Sequence, residues 1–231
     1  MKTIFESDKS FICEIDSPCF RTLSNEEVEW VRASKTQVIF RKGDNLTKEG
    51  AFSSYVLFVI KGIAKLYIEG ENNRNYNIRL VLPGEFVGID SVFSKNIFSF
   101  SVVALEECQV YLIERDIIRS LVKNNGMFSL SIIARYCEQN SFLYNALHNL
   151  NFKQMNGRLA DTLIYLDRVK ESSPDIFSML SRKDIGDFAG ISVESTVKLL
   201  KSFERDKLIT LNEKDIVLHE KTKLEQISKN G

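Results

Sequence analysis

Three sets of residues have types and spacings that could do chemistry. Within residues 190–209, GISVESTVKLLKSFERDKLI, the polar residues Glu194, Ser195, Lys198, Lys201 and Ser202 share one side of a helical wheel. Thr196, Leu199, Leu200 and Phe203 fall at i, i+3, i+4 and i+7 and make an apolar stripe on the other. Burying the stripe would leave carboxylate, hydroxyl and ammonium groups facing outward, a mixed row of hydrogen-bond acceptors and donors. The second set is Cys13 and Cys19, whose thiols could serve as a redox pair or as soft metal ligands. The third is the two histidines, His148 and His219. Enzyme chemistry is not legible: there is no nucleophile–base pair, no metal-ligand spacing and no phosphate loop. Asp90, Asp116 and Glu85 read as turn and cap residues rather than acid–base partners. The expectation is a protein that is not an enzyme.

The 231 residues suffice for two modest domains, and 44% apolar with 27% charged residues is ordinary for a chain that folds around a core. Thirty-one basic residues balance 31 acidic ones, so any case for a polyanionic partner has to be local. The start, MKTIFESDKSFICEID, carries acidic residues where a secretion signal needs an apolar run, and no segment approaches ~18 apolar residues. These features predict a cytoplasmic protein with no membrane partner. In a reducing compartment its four cysteines are expected as thiols.

The elements that must position these residues follow from periodicity. Ser24 with Glu27 makes a capping-box pattern ahead of a short helix within 22–34. Between about 37 and 114 come short β-rich runs, QVIF, YVLFVI, IAKLYIEG, IRLVL, FSFSVVAL and VYLIE, separated by turn residues such as Pro83-Gly84-Glu85. Such close spacing predicts a small antiparallel barrel or jelly roll. After 115 the period becomes helical. Ile133, Tyr136, Asn140, Leu143, Leu147 and Leu150 alternate at three and four residues, as in a coiled-coil seam. Two readings are open, a helix packed on its own barrel and a helix paired with a second copy; Asn140 favours pairing, because a polar residue in a seam fixes register. NGRLADTLIYLDRV (156–169) reads as a further helix, and KESSPD (170–175) as a loop. LSRKDIGDFAG can be capped by Ser181 and ended by Gly190; the opening stretch, a hairpin in ITLNEKDIVLH (209–219) and a closing helix in KTKLEQISK follow. Helix, short turn, helix and β-hairpin make the pattern of a winged helix-turn-helix, whose second helix lies in a DNA major groove.

RKGD (41–44), KEG (48–50), IKGIAKLY (60–67), LPGEFVGIDSVF (82–93), MNGRLADTLIYL (155–166) and the ungapped LSRKDIGDFAGISVESTVKLLKSFERDKLI (180–209) form an ordered set across some 200 residues. With it the sequence resembles the Crp/Fnr family of bacterial transcription regulators over nearly its whole length. The resemblance implies an α+β fold: an N-terminal antiparallel β jelly-roll sensor domain of the cyclic-nucleotide-binding type (1–125), a long dimerisation helix (126–151) and a C-terminal winged helix-turn-helix DNA-binding domain (152–231). It implies a homodimer on a two-fold symmetric double-stranded operator, with RNA polymerase as a further partner.

Carried over by position, the family's base-reading residues fall on Val193, Glu194 and Lys198, where many members have Arg, Glu and Arg. Glu194 can accept from a cytosine amino group and Lys198 can donate to guanine O6 or N7. Val193 cannot make an arginine's bidentate guanine contact but could meet a thymine methyl, so an altered half-site is expected. Ser195 shares this face, and Arg182, Lys183, Ser192 and Lys201 are candidates for phosphate contacts. Residues 179–207 hold six basic side chains against five acidic, a net of +1, so moderate and salt-sensitive affinity is expected.

In the family's cyclic-AMP pocket, next to Gly88, the ribose carboxylate position falls on Ile89 and the phosphate arginine on Phe98. Only the serine survives, as Ser99, and the adenine-contacting pair falls on Leu143 and Tyr144. A phosphate beside Phe98 would be buried without a counter-charge, so cyclic AMP is a poor candidate and the effector is unknown. The cavity would suit an apolar ligand or be filled by its own side chains. For the family's four-cysteine [4Fe–4S] cluster, Cys13 and Cys19 match two ligands, but the others fall on Ser10 and Tyr111, with Cys108 three residues away; two ligands do not hold a cubane. Cys13 and Cys19 are left as a redox or metal pair or as two ordinary thiols. Neither histidine has an evident second axial partner for haem. The competing reading is a ligand- or redox-sensing interaction module that no longer binds DNA, suggested by Val193 and the low local charge.

Overall fold

The computed structural model describes residues 1–4, 20–71 and 74–231. They divide into two compact units, residues 1–69 with 79–141 and residues 70–78 with 142–231.

The strands are β1 (Lys2–Ile4), β2 (Lys35–Phe40), β3 (Asn45–Thr47), β4 (Tyr55–Lys61), β5 (Ala64–Ile68), β6 (Tyr76–Val81), β7 (Phe86–Val87), β8 (Ser101–Ala104) and β9 (Cys108–Glu114). They form a five-stranded sheet in the order β1-β2-β9-β4-β7 and a four-stranded sheet in the order β3-β8-β5-β6. Early strands lie antiparallel to late ones, β2 beside β9 and β3 beside β8, which is jelly-roll connectivity. The expected α+β class and antiparallel jelly roll are what the chain adopts. The short strands β1, β3 and β7 escape the sequence reading because two or three residues carry no period.

Val56, Leu57, Phe58 and Val59 of β4 are all buried, as in a strand covered on both faces. Val56 and Phe58 join Tyr111 and Ile113 of β9 and Phe86 of β7 in a core closed by α1 (Asn25–Ser34), α3 (Arg115–Asn124) and the first turns of α4 (Gly126–Phe152). Phe20 sets its ring edge-on to Phe58 at 4.8 Å and to Phe86 at 5.4 Å. The capping box at Ser24 and Glu27 forms, and the Glu27 carboxylate also accepts from Asn125 Nδ2 at 2.9 Å. The Ser24 backbone N–H and then this amide hold the Glu27 carboxyl below its ordinary range. A short helix, α2 (Asp90–Phe93), follows β7.

The second unit takes α4 from Phe142 onward, α5 (Met155–Lys170), α6 (Ile176–Met179), α7 (Arg182–Ala189), α8 (Val193–Arg205), the hairpin β10 (Ile209–Asn212) and β11 (Asp215–Leu218), and α9 (Lys221–Asn230). Leu159, Leu163 and Leu166 of α5 are fully buried, as are Ile176, Phe177, Ile185, Ile216 and Leu224. Ser181 caps α7 in a reciprocal box with Asp184, and Gly190 ends it at φ +61°, so both expected boundaries form. Helices α7 and α8 cross so closely at Gly186 that a Cβ there would lie 2.6 Å from Thr196 Oγ1 and 2.9 Å from the Ile191 carbonyl oxygen. Only glycine permits that approach.

Candidate nucleic-acid interface

Helix α8 starts at Ser192, whose hydroxyl accepts from Ser195 N at 3.2 Å and lies 3.0 Å from Ser195 Oγ. Thr196 turns its hydroxyl inward to the Ser192 carbonyl at 2.9 Å, and Thr196, Leu200 and Phe203 are buried while Leu199 is half-buried. Rotation about the helix axis then fixes the rest. Val193, Glu194, Lys198 and Lys201 are exposed, and Ser195 and Ser202 are half-exposed. Among the described residues Lys198 and Lys201 have no ion-pair partner, so two ammonium groups and one carboxylate stand open on one face. Val193 adds an apolar surface, 43% exposed, at the helix start.

The other basic candidates differ in situation. Lys183 is exposed and pairs with Asp187 at 2.7 Å. Arg182 is half-buried; its Nη2 donates to the Glu213 carbonyl at 3.1 Å, its Nη1 is buried without a hydrogen-bond partner, and burial lowers its pKa. Arg182 thus steadies the β10–β11 turn, where Glu213 has φ +50°. That turn carries Lys214, an exposed cation the sequence reading did not single out, although a lysine at a hairpin tip beside a helix-turn-helix is a usable signal. The adjacent acid, Asp215, is neutralised by Lys170 at 2.9 Å.

On α4, Ile133, Tyr136, Leu143, Leu147 and Leu150 are exposed, Leu147 at 60%, and Asn140 is half-buried. Only Phe128 and Ile132 of this helix are buried.

In the jelly roll, the Phe98 ring lies against Gly88: a Cβ on Gly88 would be 2.6 Å from Phe98 Cε1, and Gly88 holds φ +83°. The Phe98 backbone is clasped by the 50–51 turn, donating to Ala51 O at 3.0 Å and accepting from Gly50 N at 2.9 Å. Ile89 packs against the helix-covered core. Ser99 is exposed and donates to the Asp90 carboxylate at 3.0 Å. Leu143 and Tyr144 are exposed on the part of α4 that belongs to the second unit. At the two positions the resemblance assigns to the phosphate, the jelly roll thus holds a buried aromatic ring, Phe98, and a hydroxyl, Ser99, that donates to a carboxylate.

A family model described as "Cyclic nucleotide-binding domain" matches residues 37–125, and one described as "Crp-like helix-turn-helix domain" matches residues 157–227. The chain is 25% identical over 178 residues to the cAMP-activated global transcriptional regulator CRP of Pasteurella multocida, covering 75% of this chain and 85% of that one. Among solved structures it is similar to FixK2 from Bradyrhizobium japonicum (TM-score 0.74, 21% identity, 84% of this chain and 96% of that). It is also similar to a candidate transcriptional regulator of the Crp/Fnr family from Eubacterium rectale (TM-score 0.75, 14% identity, 92% and 98%). The chain belongs to the Crp/Fnr family.

As a Crp/Fnr protein it is a transcription regulator that joins a cyclic-nucleotide-binding-type domain to a DNA-binding helix-turn-helix. Among the described residues no helix is long and apolar enough to cross a membrane. Cys13 and Cys19 lie outside the described residues. Cys108 is buried, donates to the Ile63 carbonyl at 3.4 Å, and burial pushes its thiol up to about 12, so it is a poor thiolate ligand. Tyr111 is buried in the helix-covered core. His219 Nε2 lies 2.7 Å from Thr210 Oγ1, and the His148 ring lies 5.2 Å from that of Phe152. Among the described residues no three His, Cys, Asp or Glu side chains are grouped to hold a metal ion. Glu85 is held by Arg79, and Asp116 pairs with Arg119 at 3.3 Å.

Proposed function

We propose that this Crp/Fnr regulator acts in the cytoplasm, without catalysis of its own, as a homodimer that reads a two-fold symmetric DNA site. The single observation that carries the reading is α8, where Glu194, Lys198 and Lys201 stand open beside Val193 while Thr196, Leu200 and Phe203 hold the helix from behind. Glu194 and Lys198 contact base edges, Val193 faces an apolar base edge, and Ser192, Ser195, Lys183, Lys201 and Lys214 line the phosphates. The exposed row Ile133, Tyr136, Leu143, Leu147 and Leu150, with Asn140, supports pairing of α4 with a second copy over packing on its own barrel. RNA polymerase is the downstream partner by family membership. The sensor input is not cyclic AMP, because Phe98 and the Asp90–Ser99 pair oppose its phosphate.

Bind-and-sequence selection with purified protein and randomised duplexes, at two salt concentrations and with and without reductant, tests this. A two-fold site whose enrichment weakens with salt is the expected result. No enrichment in any condition would favour an interaction module that has lost DNA. A dependence on reductant would implicate Cys13 and Cys19.

A further inference from the structure

Helices α4 and α5 are joined by only two residues, Lys153 and Gln154, with Gln154 extended at φ −73° and ψ 171°. Two residues leave four soft dihedrals that must be fixed for the helices to hold one angle. At this joint a single carboxylate ties together three helices and the connector. Asp161, in the second turn of α5, accepts from Asn149 Nδ2 in the last turn of α4. Its Oδ1 accepts from Ser228 Oγ of α9 at 2.9 Å and lies 3.3 Å from Lys153 Nζ in the connector. Lys153 Nζ also donates to Ser228 Oγ at 3.0 Å, which closes the ring of contacts. Ser228 is buried and the Lys153 side chain is only 14% exposed, which shields the hydroxyl and the ammonium. The Asp161 carboxylate keeps 38% of its side chain open to water, so the bridging hydrogen bonds rather than the ion pair hold the joint.

We infer that Asp161 is a positioning residue that fixes the angle between the end of α4 and the reading domain, and with it the spacing at which two reading helices meet DNA. The inference rests on the dimeric, DNA-reading function proposed above. Half-sites one helical turn apart, ~34 Å, are engaged together only if both reading helices arrive in register. Once one helix is bound, the second binds at an effective concentration set by the stiffness of the connection. A loosened joint lowers that concentration without altering any residue that touches a base. Asp161 therefore acts on the coupling between half-sites, not on the affinity for one.

The test uses the full chain, with Asp161→Asn, which keeps the shape and removes the charge, and Ser228→Ala, which keeps the ion pair and removes the bridging hydroxyl. Fluorescence anisotropy gives the affinity for a selected two-fold site and for the same duplex with one half scrambled; sedimentation gives the oligomeric state. In Asp161→Asn the ratio of full-site to half-site affinity falls about tenfold while half-site affinity holds. In Ser228→Ala the ratio falls about threefold, and this variant carries the test if Asp161→Asn does not fold. A wild type that prefers the full site, with the ratio unchanged in the folded variants, overturns the role of Asp161 alone. A wild type that is monomeric, or that binds both duplexes equally, overturns the dimer reading and this inference with it.

Discussion

Gly88 and Phe98 are in contact with no room between them: a Cβ on Gly88 would sit 2.6 Å from Phe98 Cε1, and Gly88 holds φ +83°. Gly88→Ala therefore both strains the backbone, at about 1–2 kcal/mol for the left-handed conformation, and forces the ring to move. Urea denaturation should show a loss at or above that range. Phe98→Ala should cost about 3–5 kcal/mol if the site stays open. Wild-type protein should give no binding heat with cyclic AMP in calorimetry, and a micromolar isotherm would refute the reading that Phe98 opposes its phosphate.

At the start of α8, Val193→Arg places a bidentate donor where an exposed valine stands. Selected operators should shift toward guanine opposite this position, with discrimination of about 1–3 kcal/mol against other bases. Unchanged base preference would place residue 193 away from the groove.

Lys201 and Lys214 are proposed phosphate contacts, in contrast to Lys198, a proposed base contact. Alanine at either should weaken binding to all selected sequences alike and reduce the slope of log affinity against log salt by about one. Lys198→Ala should instead relax preference at one base pair. Anisotropy titrations at several salt concentrations separate the outcomes.

The buried Cys108 thiol, raised to about 12, should resist labelling in the native protein, while the exposed Cys137 reacts readily. A background with Cys13 and Cys19 replaced by serine isolates the pair, and thiol titration before and after unfolding reads it. The pH effect has a definite sign. Because the folded state holds the Cys108 proton more tightly than the unfolded chain, its contribution is complete below an ordinary thiol pKa of ~9 and declines as pH rises toward 12. Cys108→Val should remove that alkaline component from the stability curve.

Much of the helix-turn-helix was legible because its signals are local. Ser181 as the cap of α7, Gly190 as its end, and the i, i+3, i+4, i+7 stripe from Thr196 to Phe203 are each set within one or two turns. The long strands were legible for a similar reason, whereas β3 and β7 exist only because partners from distant sequence meet them. Arg182 shows the limit at the site. By sequence it is a cation at a helix start, and only the return of the hairpin, 31 residues later, brings the Glu213 carbonyl to its guanidinium.

By itself, then, the sequence determined the class of fold, the family and the polar face of α8, since period, caps and ordered glycines are properties of neighbouring residues. Tertiary structure alone decided that Phe98 lies on Gly88, that Asp90 engages Ser99, and that Asp161 gathers Asn149, Lys153 and Ser228. Those relationships join residues from separate elements. Their energies depend on distance, burial and direction, which no spacing along the chain encodes.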